Sequence, residues 1–400
     1  MMKINSKLLL TIIIISFAIC PAFAFNEESK NLFLLGVMLS TPFIILHYRD
    51  FNKNDSILLL FIASILLIPL LFFFKETRWS TVLYSVGFCF THIAFKQLLR
   101  RKTFSIYDYE KILKYLLYAY FIVLVIQQFS VLTGLPIFNV RFYRPNEPWK
   151  LNSLGGEPSW AARTIGLMMY CYITINEIIS SRKYNFQINF KRDKRIWIGF
   201  LYSMLTLGSS TAIFFLAVFS LKFIGFKNKF RTAVVFILVI TFFNFVQIDS
   251  VQRVLKTTLA TFTLDQNAII EADGSASARI VPFIVMLENI DLYNFKSLIT
   301  GHGVDYVKNN IIVENFEGIT LGGFLVILKE YGLISFVLIT LFTLSATISR
   351  NDFLLTLILW FTLIFSYGLN VQIPWLAIML LFLNKHYHYH FQKYKKFNVK

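Results

Sequence analysis

Long apolar runs separated by short polar or basic segments dominate the chain. They fall at 7–25, 31–47, 55–74, 80–97, 112–134, 161–180, 232–248, 321–344, 353–369 and 372–384. A bilayer core takes roughly 20 apolar residues per helix, with about 17–25 the usual range. Each run therefore predicts one transmembrane helix, the last extending into Lys385. The run 196–226 is too long for one crossing, at about 46 Å for a rise of 1.5 Å per residue. Its middle, TLGSST at 206–211, is small and polar, and basic residues flank it: Arg192, Lys194 and Arg195 before, Lys227, Lys229 and Arg231 after. It predicts two short spans, 196–207 and 211–226, meeting at a turn. The expected fold class is all-α: a polytopic integral membrane protein of about 12 transmembrane helices, with a large loop at 249–320 between spans nine and ten.

Composition excludes the soluble classes. Of 400 residues 56% are hydrophobic and 15% charged, with 44 Phe and 19 Tyr, whereas soluble domains carry about 25% charge. The net charge of +17 raises the question of nucleic acid, and the distribution of that charge answers it. With both termini inside, the cytoplasmic segments hold 26 Lys and Arg against 7 Asp and Glu, and the outside segments 12 against 14. Lys/Arg bias of this kind sets orientation, so the basicity is a topology signal and no nucleic-acid partner is expected. Cys20, Cys89 and Cys171 all fall in apolar runs, which predicts neither a disulfide framework nor a metal cluster. Lys3, Lys7, the run 8–20 and Ala22-Phe23-Ala24 imitate a secretory signal; the expectation is a retained first helix. The predicted layout is N-terminal membrane helices (1–134), a first outside loop (135–160), central helices (161–248), the large loop (249–320), then C-terminal helices with a basic cytoplasmic tail (321–400).

Polar residues concentrate in the two outside loops. The first carries Arg141, Arg144, Lys150 and Arg163 with Glu147 and Glu157. Arginines outside oppose the charge bias and call for compensation. Salt bridges to Glu147 and Glu157, or lipid headgroups, supply it on one reading. On the other it comes from an anionic ligand, since Arg grips phosphate through two parallel hydrogen bonds. Gly155 and Gly156 permit a close backbone approach, and Pro158 suits the first turn of a helix that Glu157 or Ser159 would cap. A helix start of this kind is a fair anion-binding element. In the large loop, Val251, Val254, Leu255, Leu259 and Phe262 predict an amphipathic surface helix. A second, largely buried helix follows at 278–290 with Arg279, and GHGVD (301–305) predicts a turn. Lys329 and Glu330 lie within a span and need partners or a wet cavity. His92 is expected to be a hydrogen-bonded structural histidine, and HYHYH (386–390) a solvated interfacial tail. No Walker loop, zinc motif or GxSxG occurs.

In their order, several of these pieces resemble the bacterial O-antigen polymerase and ligase superfamily of membrane glycosyltransferases. They are GGEPSWAA (155–162) closing an Arg-rich outside loop, GSSTA (208–212) at the turn of the short spans, SASAR (275–279), GHG (301–303) and LKEYGL (328–333). The resemblance covers 140–370 and implies transfer of undecaprenyl-pyrophosphate-linked sugars at the periplasmic face of the bacterial inner membrane. A polymerase moves the growing glycan onto the next lipid-linked repeat unit, inverting and without metal or other cofactor. The implied partners are the undecaprenyl-pyrophosphate-linked glycan, the lipid bilayer, a chain-length regulator and a flippase. Arg141, Arg144, Glu157, Arg163 and Arg279 become the candidate substrate-binding residues, with Arg144, Arg163 and Arg279 on the pyrophosphate. His302, Arg279 and Asp305 become the candidate catalytic residues, His302 as base with Asp305 and Glu317 as rivals. Two departures are visible. Ser210-Thr211 replaces the Ser-Arg of many relatives, and Leu321-Gly322 stands where ligases tend to carry His-Asn. Polymerase is therefore the expectation ahead of ligase, and a flippase of lipid-linked glycans is the rival from another class.

Overall fold

The computed structural model describes residues 5–22, 31–52, 55–141, 143, 145–184, 190–223, 249–272, 274–290, 294–311 and 322–398. Among the described residues the regular structure is entirely helical, without a strand. The helices are α1 (Ser6–Ala18), α2 (Leu32–Tyr48), α3 (Ser56–Phe72), α4 (Trp79–Arg100), α5 (Ile106–Thr133), α6 (Pro158–Ser180), α7 (Lys194–Thr206) and α8 (Ser210–Phe223). They continue as α9 (Asp249–Thr263), α10 (Gln266–Ala272), α11 (Gly274–Glu288), α12 (Phe295–Thr300), α13 (Tyr306–Asn310), α14 (Phe324–Thr347), α15 (Phe353–Trp360) and α16 (Gln372–Asn398). A π-helical turn, Phe361–Phe365, prolongs α15. The expected span at 232–248 lies outside the described residues.

Local chemistry sets these boundaries. The Ser105 hydroxyl and the Asp108 carboxylate cap α5 reciprocally, so the helix begins ahead of its apolar run. Pro158 opens α6. Gly208, at φ 63°, turns the chain between α7 and α8 as the small polar cluster predicts. The tail is not a loose one: α16 runs through the HYHYH segment, and the Tyr387 hydroxyl donates to the Phe104 carbonyl at 2.8 Å. His92 is buried, but neither ring nitrogen has a hydrogen-bond partner among the described residues. It sits instead among Phe95, Phe342, Trp375 and Phe382.

Among the described residues three helices, α4, α5 and α14, are long and apolar enough to cross a membrane. α1, α2, α3, Ser210–Ser220 and Phe353–Phe365 are apolar but shorter, at 10–17 residues. Seventeen residues reach about 26 Å, just short of a hydrocarbon core of about 30 Å. The helices carry apolar side chains on their outer faces, among them Phe43, Leu71 and Leu132, each at least 70% exposed. Thr91, Gln97 and Gln127 are fully buried. That is the reverse of the usual distribution in water.

The chain divides into two compact units, one of residues 1–13, 35–102 and 256–382, the other of 14–34, 103–255 and 383–400. In the first, α14 packs on α3, where the Ser335 hydroxyl donates to that of Ser64 at 2.9 Å. Asp55, just ahead of α3, is fully matched: one oxygen meets the Lys96 ammonium, the other meets Arg100 at 2.8 Å and the Asn52 N–H at 2.9 Å. In the large loop, α10 and α11 pair through Ile269, Val281, Ile284 and Val285. Leu259 and Phe262 of the predicted amphipathic stripe stand exposed on α9. In the second unit α5, α6, α7 and α8 pack together, and the bare Gly166 admits the Phe215 ring.

Lys96→Ala would leave a buried carboxylate short of one cation. The expected loss is about 3–5 kcal/mol, read as a lowered midpoint of thermal unfolding in detergent.

Candidate functional site

In the first unit the site begins with a fault in a helix. Gly332 lies inside α14 with φ 80° and ψ 177°, so the helical ladder breaks there. In an unbroken helix the carbonyls of Lys329 and Glu330 would accept from residues four positions on. Here the N–H of His302 donates to Lys329 O at 2.8 Å and that of Gly303 to Glu330 O at 3.1 Å. Both partners of the joint must be glycine. A Cβ on Gly301 would lie 2.5 Å from the Glu330 carbonyl, and one on Gly332 would lie 1.8 Å from Ile299 O. GHG and LKEYGL, separate in the sequence, are thus one structural joint.

The joint places the candidate acids and bases. Asp305 follows at φ 65°, the left-handed position ahead of α13. Its carboxylate is 3.8 Å from the Arg78 guanidinium. Glu330 is buried, with the backbone N–H groups of Asp305 and Val307 against its carboxylate. Asp305 and Glu330 line a partly open cavity of about 550 Å³, mouth included, together with Thr81, Ser85, Tyr331 and Asn370. Its rim includes Gly323, where a Cβ would lie 2.1 Å from Phe365 O at the end of the π-helical turn. His302 stacks on Tyr306 at 4.4 Å and lines a different, smaller pocket with Lys329 and Ser297. The structure therefore brings Asp305 to Glu330 and His302 to Lys329. Arg279 is carried by α11, with its side chain outside the described residues; Arg144 and Glu317 lie outside them altogether.

In the second unit the first loop is a folded plug. Gln127, Asn139, Asn152 and Ser153 tie it down. Asn152 donates to the carbonyls of Asn139 and Gly155, Asn139 to that of Ser153, and the Ser153 hydroxyl to Tyr120 O at 2.6 Å. Gly155 tucks against the start of α6, where a Cβ would be 2.8 Å from the Ala161 nitrogen. Arg141 is engaged at the end of α1, donating to Cys20 Sγ at 3.0 Å and Pro21 O at 3.4 Å. Lys150 pairs with Glu147 at 3.1 Å. Glu157 occupies the cap position of α6 without a capping hydrogen bond. It accepts instead from the Ser159 hydroxyl, which in turn accepts from the Arg163 guanidinium at 3.2 Å.

Chemically, the cavity of the first unit offers carboxylate oxygens to ligand O–H or N–H donors. The second unit offers a buried guanidinium at a helix start, an element suited to an anion. Thr81, Ser85, Arg78 and Asn370 were not singled out in the sequence. Arg78 alone carried a signal, as a cation in a segment the charge bias predicts to lie outside. Among the described residues no three His, Cys, Asp or Glu side chains converge as a metal shell would require. No family model, curated protein or solved structure matches the chain.

Gly332→Ala or Gly301→Ala forces a side chain into left-handed backbone and into its neighbour. A loss of about 1–3 kcal/mol from backbone strain alone is expected, with overlap adding to it. Gly36, with open space around its Cβ position, supplies the contrast: Gly36→Ala is expected to gain about 0.5–1 kcal/mol from helix propensity. Thermal unfolding of purified protein checks both.

Proposed function

We propose that the chain is a twelve-span inner-membrane glycosyltransferase, a polymerase of undecaprenyl-pyrophosphate-linked repeat units at the periplasmic face. The observation that carries this reading is the joint of GHG with LKEYGL around a cavity holding two carboxylates. Two motifs that resemble the O-antigen polymerase superfamily meet there and build a place for hydroxyl chemistry. The exposed apolar helix faces favour immersion in lipid. The proposed orientation has support from where polar residues gather. Arg78, Thr81, Asp305 and Asn370, all at the outside ends of spans or in outside loops on this topology, lie together around the cavity. Asp50, Asp55 and Arg100, at the cytoplasmic ends, meet one another. In the second unit the Gly208 turn lies against Trp149 and Lys150, also assigned outside: a Cβ on Gly208 would be 3.6 Å from Trp149 O and from the Lys150 Cα.

In the proposed reaction a hydroxyl of the acceptor repeat unit attacks the anomeric carbon of the donor glycan. A new C–O bond forms as the bond to the lipid pyrophosphate breaks. The pyrophosphate leaves with both electrons, and the hydroxyl proton passes to a base. The roles of Arg144, Arg163 and Arg279 in neutralising the charge that develops on the leaving group are those the resemblance implies. Glu157 positions Arg163 through Ser159. Asp305 is the preferred base over His302, because it lines the carboxylate cavity.

The test is a gel of surface glycan from a deletion strain, re-supplied with wild type, Arg163→Ala or Arg279→Ala. The deletion should leave a single repeat unit on the acceptor, and wild type should restore the ladder. Loss of one leaving-group cation lowers turnover by about 10²–10³, so neither variant should restore it. Lipid-linked polymer accumulating outside without attachment would make the protein a ligase. Lipid-linked units accumulating on the cytoplasmic face would make it a transporter, with Glu330 in an apolar helix as its charged centre.

A further inference from the structure

One group in the cavity of the first unit has no part in the reaction as proposed. Glu330 is only 3% exposed, and its Oε1 has no hydrogen-bond partner among the described residues. A buried carboxylate oxygen without a donor is costly to maintain, and the cavity is the space from which a donor can come. Asp305, the other carboxylate on that wall, already has the Arg78 guanidinium 3.8 Å away. The Arg78 guanidinium balances the charge of Asp305, so the cavity draws a cation less strongly than two unpaired carboxylates would. The rest of the lining suits a molecule with several hydroxyls on an apolar frame. Thr81 and Ser85 offer hydroxyl oxygens and Asn370 an amide, while Phe61, Ile65 and Tyr331 offer apolar surface. The Ser85 hydroxyl donates to Thr81 O at 3.1 Å, which leaves its oxygen free to accept.

We infer that this cavity binds a sugar ring, with Glu330 accepting a hydrogen bond from one ring hydroxyl and Ser85 and Asn370 reading its neighbours. Resting on the proposed polymerase function, the sugar is that of the acceptor repeat unit, and Glu330 is a binding residue that holds it beside Asp305.

The probe is the oligosaccharide repeat unit released by mild acid from the strain's own lipid-linked intermediate. It is titrated into the full chain in nanodiscs and followed by saturation-transfer NMR. Wild type should bind. Glu330→Ala should bind about threefold to tenfold more weakly, the fold-change of roughly one hydrogen bond. Glu330→Gln and Ser85→Ala should bind several-fold more weakly. Thermal unfolding establishes that each variant is folded; if Glu330→Ala is not, the other two carry the test. Equal binding by folded variants, or no binding by wild type, overturns the inference. So does a melting shift specific to sodium over choline chloride that Glu330→Gln abolishes, because the site would then hold a cation. An intact glycan ladder in the deletion strain removes the polymerase reading while the sugar site still stands or falls on the titration.

Discussion

A helix of transmembrane length that breaks at Gly332 must find donors for the carbonyls the break releases, and one end of the first unit is organised around how it finds them. In an apolar surrounding an unsatisfied backbone group costs several kcal/mol. The donors arrive from the backbone of His302 and Gly303, which no substitution other than proline can remove. The constraint falls on the space around them instead. The Ile299–Gly301 backbone passes so close to α14 that Gly301 and Gly332 have no room for a Cβ. Once that contact is made, Asp305 two residues on has little choice of position, and its N–H lies against the Glu330 carboxylate. The cavity is a consequence of repairing the helix.

The second unit solves its positioning problem by the opposite means. Its first loop is held by side-chain amides and hydroxyls, with Asn139, Asn152, Gln127 and Ser153 satisfying the backbone groups of a buried turn. Such a network is strong only while every member is paired, so it fixes the loop sharply. It thereby fixes the start of α6, where Ser159 links Arg163 to Glu157. Rigid support of that kind is what the charge-neutralising role proposed for Arg163 would require. Arg141, a candidate ligand contact from charge alone, is also tied to the end of α1 through Cys20 and Pro21.

What was legible in the sequence follows from what repeats. Apolar runs are long and periodic, so the helices from α1 to α8 and from α14 to α16 fall close to the predicted runs, and Pro158 and Gly208 mark a start and a turn. α5 and α16 outrun their apolar cores, where a capping box and the Tyr387 hydrogen bond to Phe104 O hold the extra turns, and neither shows in a hydropathy pattern. GHG and LKEYGL were visible as separate motifs, but nothing in a linear spacing says that one repairs the other. Single polar residues such as Asn152, Ser85 or Asp55 have no period at all. Their roles exist only once distant segments are packed, as the pairing of Asp55 with Lys96 and Arg100 illustrates.

The two ends of the first unit serve as each other's control. At one end Asp55, 1% exposed, has each carboxylate oxygen matched by a cation and a further N–H on one of them. At the other, Glu330 is as deeply buried, yet one oxygen has no donor among the described residues and borders open space. The same unit therefore holds two buried acids to different standards of satisfaction. Burial alone does not explain the difference, since both are buried. Helix packing does not explain it either, since α3 and α4 serve both, with Ile65 and Ser85 at the cavity and Lys96 and the start of α3 at Asp55. What differs is that Glu330 borders the cavity, while each oxygen of Asp55 is taken by a cation. A fold that completes the shell of one acid and leaves the other open at a cavity has left room for a donor that is not part of the chain.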